Sequence, residues 1–243
     1  MDRVIAAATS IVNERYPDAM ASFAAGSLIR GDGTAYSDLD LVVVYRRLPN
    51  AYRESFRFEQ LPVEAFVHDV ETLNFFFYHV DRPSGVPALP QMVLEGIEIP
   101  EPTSDSQALK RLAASVIAMG PPALTDDDRR RMRYEITDTL DDLRAPRSYD
   151  ELVATGSVLF KSLANFYFRT NGLWSANGKS IPRKLALANA ELANRYSLAF
   201  DALVRRGEPE AAIALAEEFL ASAGGPLFEG YRLDAPASWR TPA

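Results

Sequence analysis

The texture of the chain changes near Asp105, and this change restricts the fold more than any other feature. Upstream, β-rich runs alternate with helical ones. Val4, Ile5, Ala8, Ile11 and Val12 recur at helical spacing, so 2–15 reads as an amphipathic helix ended near Pro17. Met20–Ala25 reads as a short buried strand broken by Gly26-Ser27. Asp38–Tyr45 is a strong strand carrying Leu41, Val42, Val43 and Val44 in a row, and Leu61–His68 is a further one. Thr72–His79 and Val86–Glu95 read as helices separated by Arg82-Pro83-Ser84-Gly85, with Phe75-Phe76-Phe77-Tyr78 expected in the core. Downstream, almost every segment reads as helix: 106–119, 126–143, 149–171, 183–204 and 210–222. Gly120-Pro121-Pro122 is a firm break. Thr125 comes next as an N-cap, with Asp126, Asp127 and Asp128 in the first turn, where the helix dipole favours anions. Strands first and helices later predict the α+β class: an N-terminal α/β domain with a mixed sheet over 1–121, followed by a C-terminal α-helical bundle domain over 122–243.

Composition narrows the partners. The 243 residues are 47% hydrophobic and 24% charged with both signs mixed, which suits a globular chain with a sizeable core. The net charge is −7, whereas nucleic-acid binders draw most of their affinity from basic residues, so no nucleic acid is expected as main partner. An acidic surface suits a cationic small molecule better. With no cysteine, disulfides, thiolate metal sites and cysteine nucleophiles are excluded. Residues 1–25 lack the pattern of a signal peptide, and no apolar run approaches the roughly 20 residues that span a bilayer. A cytoplasmic protein with no membrane partner is the expectation.

The chemistry concentrates in Gly26-Ser27-Leu28-Ile29-Arg30-Gly31-Asp32-Gly33-Thr34-Ala35-Tyr36-Ser37-Asp38-Leu39-Asp40. Gly26 lets the backbone turn at a strand end without a Cβ clash. Ser27 then opens a short helix whose hydroxyl and free N–H groups converge on a natural phosphate site. Asp38 and Asp40 start the next strand on one face, about 7 Å apart along it. Two carboxylates held that close repel unless a cation sits between them, and Mg²⁺ prefers such oxygens. In Leu61–Asp69, Glu64 alternates against Val63, Ala65 and Val67, so pairing of the two strands would turn it toward the aspartates. Glu59 and Asp69 compete for that place. Two roles fit Glu64: ligand to a metal, or acceptor of the proton of an attacking hydroxyl.

Gly26-Ser27, then Ser37-Asp38-Leu39-Asp40, then Pro62-Val63-Glu64 together resemble the nucleotidyltransferase domain of the DNA polymerase beta superfamily. The resemblance is greatest to small bacterial members, the streptomycin/spectinomycin-type aminoglycoside adenylyltransferases and their relatives, although here the acid-bearing strand comes sooner after the aspartates. It is specific over 20–69 and diffuse over the helical half. It implies an α/β domain followed by a helical one, ATP as co-substrate with Mg²⁺, and a small-molecule acceptor. Asp38, Asp40 and Glu64 become the catalytic and metal-binding acids, and Gly26, Ser27, Arg30 and Ser37 the nucleotide site.

In the helical half, Gly172 to Ser180 mimics a P-loop, but the spacing is one residue too long and a helix precedes it where a strand is required. Lys179 and Arg183 are either cations that reach across an inter-domain cleft to a triphosphate, as the resemblance implies through the family's comparable lysine, or ordinary surface cations. Asp138 and Asp142 are spaced i, i+4 on one helix face with Glu135 nearby, a pattern for an amine-bearing acceptor with Trp174 as a stacking surface; a solvated acidic face and ordinary core packing are the plainer readings. Where the tail Phe228–Tyr231 docks is left open. Two other functions stay in contention: a toxin–antitoxin component that modifies a partner protein, and a nucleotide-binding module without turnover.

Overall fold

The computed structural model describes residues 2–240. It shows the expected α+β class, a mixed sheet with helices followed by a run of helices. The chain divides into two compact units between Pro122 and Ala123.

In the first unit, α1 (Asp2–Arg15) leads to β1 (Ala21–Ala25), the short α2 (Gly26–Arg30) and β2 (Leu39–Tyr45). A hairpin of β3 (Tyr52–Phe58) and β4 (Leu61–Asp69) comes after it, turning through Glu59 at φ 54°. Next come α3 (Val70–Phe75), a π-helical turn (Phe76–Asp81), the single turn α4 (Arg82–Ser84), α5 (Ala88–Glu95), β5 (Ile97–Ile99) and α6 (Ser104–Met119). The strand order is β3-β4-β2-β1-β5. β2 and β4 run parallel, and every other neighbouring pair is antiparallel.

The two faces of the sheet pack against different layers. Leu39, Leu41, Val43, Val63, Ala65 and Val67 pack with Ile11 and Val12 of α1, with Tyr16 just after it, and with Ile29 of α2. Phe23, Val42 and Val44 pack on the other face with Leu73, Phe77, Leu89, Val93, Leu109 and Val116. That second layer covers only one end of its face, and Asp40 and Glu64 lie on the same face toward the other end. The phenylalanine run corrects an expectation. Phe77 is fully buried, but Phe75 and Phe76 are 55% and 36% exposed, because consecutive helical residues cannot all face one core.

The second unit holds α7 (Asp126–Arg144), α8 (Tyr149–Thr170), α9 (Ser180–Ala188), α10 (Ala190–Arg206) and α11 (Glu210–Ser222) around Ile136, Leu140, Leu159, Leu163, Phe166, Leu203 and Leu220. The stretch expected as one helix over 183–204 is two. Asn189 is extended (φ −161°), and its side chain accepts from Leu192 N at 3.0 Å, so a polar cap ends one helix and begins the next. The segment after α11 runs along α7. Arg133 donates to Gly224 O and Gly225 O, Arg130 donates to Gly230 O, and Tyr231 stacks on Tyr134 at 4.1 Å. No described helix is long and apolar enough to cross a membrane.

Asp69 locks the end of β4 to the start of α3. Its carboxylate accepts from Thr72 N at 2.8 Å in a reciprocal capping box and from Leu48 N at 3.0 Å. These bonds, the Thr72 backbone N–H first, hold its pKa below the ordinary 3.8. A depressed folded pKa gives stability that is complete above the ordinary value and fades as pH falls through and below it. Asp69→Ala should therefore cost about 2 kcal/mol near pH 7, the sum of a lost cap and an orphaned N–H. Urea denaturation of both proteins should show this gap narrowing at pH 3.

Candidate functional site

Three acids meet at the amino ends of the two parallel strands. Asp40 is the second residue of β2, and the parallel register sets it directly opposite Glu64 on β4. Opposite residues share a face, so neither side chain has any choice of side once the strands pair. Asp38 lies just before β2 and, two residues from Asp40, adds its carboxylate to the same group. One oxygen from each of Asp38, Asp40 and Glu64 lies within 4.8 Å of the others, and all three residues are half-buried. Glu59 sits exposed in the hairpin turn and Asp69 is buried as the α3 cap, so neither of the competing acids joins the group.

Gly26 makes room for this group. Its φ of 82° lies in the left-handed region, and a Cβ built there would fall 1.9 Å from Asp40 Oδ2. β1 pairs with β2 so that Ala25 faces Asp40, which brings the backbone turn against the carboxylate. Glycine is therefore needed twice over, for the turn and for the approach.

Beside the acids the two serines are tied together. Ser27 Oγ donates to Ser37 Oγ at 3.0 Å, and Ser37 Oγ also accepts from Thr34 N at 2.8 Å. α2 closes on Gly31, whose N–H returns to Ser27 O, as does that of Asp32 at 3.1 Å. The loop from α2 to β2 is thus folded back on the start of α2. Ser27 follows the glycine that borders Asp40 and Ser37 immediately precedes Asp38, so the turn adjoins the acids along the chain. Arg30, expected at the nucleotide, is exposed and paired with Asp32 at 3.4 Å.

One contributor was missed in the sequence. β3 lays Ser55 opposite Glu64 and Arg53 opposite Phe66. Arg53 Nη2 donates to Glu64 Oε1, and Ser55 Oγ reaches the same oxygen at 3.4 Å. The guanidinium also lies over the Phe66 ring, 5.0 Å from its centroid. The signal for β3 was present as alternation of Tyr52, Glu54, Phe56 and Phe58 against Arg53, Ser55 and Arg57.

The donor set fits a hard divalent ion. Opposite ligands around Mg²⁺ at about 2.1 Å lie about 4.2 Å apart. Three donors cannot all lie opposite one another, and adjacent ligands are about 3 Å apart, so oxygens within 4.8 Å of one another would draw together by rotation of their carboxylates as the ion binds. All three donors are carboxylate oxygens, the type such ions prefer, and Mg²⁺ commonly completes its shell with substrate phosphates and water.

The remaining expected site residues belong to the second unit. Lys179 and Arg183 are exposed at the start of α9. Trp174 is half-buried in the loop before it. On α7, Asp138 and Asp142 are exposed, and Glu135 is exposed 4.0 Å from Arg131.

No protein-family model matches the chain, and no curated protein matches it in sequence. Among solved structures it is similar to a nucleotidyltransferase-like protein from Exiguobacterium sibiricum 255-15. The identity is 16%, the TM-score is 0.42, and the match covers 90% of this chain and 73% of that one. At that identity and overlap the likeness carries no chemistry; the side chains described above do.

Gly26→Ala tests the geometry directly. The variant should fold with a modest loss of about 1–2 kcal/mol from the strained left-handed residue. It should also lose Mn²⁺ binding through displacement of Asp40, read by isothermal titration alongside a thermal melt.

Proposed function

We propose that the chain is a metal-dependent nucleotidyltransferase that moves a nucleoside monophosphate, AMP from ATP in the simplest case, onto a hydroxyl of a small amine-bearing acceptor. The single observation behind this is the convergence of Asp38, Asp40 and Glu64 oxygens within 4.8 Å beside the Ser27–Ser37 turn. A divalent ion held there would neutralise the triphosphate and polarise its α-phosphorus.

The residues divide the remaining work. Asp38 and Asp40 anchor the ion at the start of β2, on a backbone fixed by two neighbouring strands. Ser27 and Ser37 offer hydroxyls to the phosphate oxygens from the folded-back loop. Glu64 accepts the proton of the acceptor hydroxyl as its oxygen attacks the α-phosphorus. The bond from that phosphorus to the bridging oxygen breaks, and pyrophosphate leaves. The net charge of −7 favours a cationic acceptor over a polyanion such as nucleic acid. An aminoglycoside or a comparable amino alcohol fits that preference, in keeping with the sequence resemblance.

The test is pyrophosphate release from ATP and Mg²⁺ across a panel of aminoglycosides and simpler amino alcohols. Turnover should depend on both the ion and an acceptor. Asp40→Asn should abolish it with the melting temperature preserved, and an active Asp40→Asn enzyme would defeat the assignment. Glu64→Gln should slow turnover about 10²–10⁴-fold, the range for removal of a general base, with nucleotide binding retained by calorimetry. Loss of nucleotide binding as well would show that Glu64 serves chiefly to hold the ion.

A further inference from the structure

We infer that Arg53 is a built-in counter-cation: it holds Glu64 in the metal-free protein and competes with a divalent ion for that carboxylate. The inference rests on the metal reading of Asp38, Asp40 and Glu64. It adds to it that the edge strand β3 sets how readily the ion binds.

The placement is a consequence of register. On antiparallel strands, directly opposed residues share a face, so Ser55 opposite Glu64 puts Arg53, two residues along, on that face opposite Phe66. The Arg53 stem needs to reach only diagonally across one strand to bring its guanidinium to Glu64 Oε1. Phe66 supplies a ring for it to lie on. Ser55 adds a longer contact of 3.4 Å to the same oxygen.

The chemistry makes the pairing provisional. Three carboxylates so close together repel one another, and a cation relieves that repulsion whether it is a metal or a guanidinium. A guanidinium on Glu64 Oε1 draws on the carboxylate that an ion would use, and its charge repels the ion. The competition is settled by exchange of one cation for the other. Displacement is cheap. The Arg53 side chain is 61% exposed against 18% for Glu64, and exposed ion pairs contribute little to stability. The ring contact with Phe66 keeps the displaced guanidinium on the same strand face.

The experiment titrates Mn²⁺ alone into the full-length protein, without nucleotide, and measures free ion by electron paramagnetic resonance. Wild type, Arg53→Gln, Arg53→Lys and Asp40→Asn are compared, each checked by thermal melting. Arg53→Gln should bind Mn²⁺ about three- to fivefold more tightly than wild type, the size expected for removal of an exposed ionic competitor. Arg53→Lys, which keeps the charge, should fall nearer wild type, and Asp40→Asn should not bind. Unchanged or weaker binding by Arg53→Gln overturns the inference, as does Arg53→Lys binding as tightly as Arg53→Gln. In those cases the metal reading survives as long as Asp40→Asn abolishes binding. If neither wild type nor Arg53→Gln takes up Mn²⁺ at millimolar concentration, the metal reading itself falls and the role of Arg53 with it.

Discussion

Three negative charges held within 4.8 Å oppose their own assembly, and strand register is what holds them there. A pair of unit charges about 4 Å apart near a protein surface repels by about 4 kcal/mol. Against this stands the opposite face of the same two strands. Asp40 and Glu64 alternate with Leu39, Leu41, Val63 and Ala65, all buried against α1 and α2. A slip of one residue would turn the carboxylates into that apolar layer and the leucines and valine toward solvent. Each buried leucine or valine contributes about 1.5–3 kcal/mol, so burial on the far face outweighs repulsion on the near one. The core keeps the charges in place, and a divalent ion would recover the energy that their proximity costs.

The corner between β1 and β2 depends on the same register. Ala25 is paired with Asp40, so the next residue must turn sharply in the shadow of a carboxylate. Gly26 meets both demands. The loop beyond it returns through the Ser27–Ser37 hydrogen bond and delivers Asp38 to the start of β2. Conformational freedom at one glycine, a hydroxyl–hydroxyl bond and two carboxylates thus form one mechanical unit. A side chain at 26 would disturb the acids without touching the hydrophobic core.

Much of this is legible in the order of residues. The short helix after Gly26, the strand carrying Asp38 and Asp40, and the facing of Leu39 and Leu41 into a core all come from local pattern. So do most helix positions: α1, α6, α7, α8 and α11 fall within a residue or two of their periodic stretches. The elements that escaped did so for identifiable physical reasons. β3 is masked because Glu54 interrupts its apolar row; tertiary structure supplies that carboxylate with Arg15 at 3.1 Å and Tyr16 at 2.7 Å, while Phe56 and Phe58 pack against the core. β5 is only three residues long, too short for a period to register. The break at Asn189 depends on one side chain choosing to cap a helix and not to continue one.

The sequence by itself singled out the candidate site acids and most of the strands and helices, because residue type and periodicity are properties of neighbours along the chain. It placed two aspartates on one strand face, a glycine and a serine before them, and a glutamate on a later strand. Tertiary structure alone decided that β4 lies parallel to β2 with Glu64 opposite Asp40, that β3 closes the edge and brings Arg53 to Glu64, and that Gly26 borders the Asp40 carboxylate. Those facts depend on hydrogen bonds and apolar burial between segments distant in sequence, and no local pattern encodes which strand another will pair with or in what register.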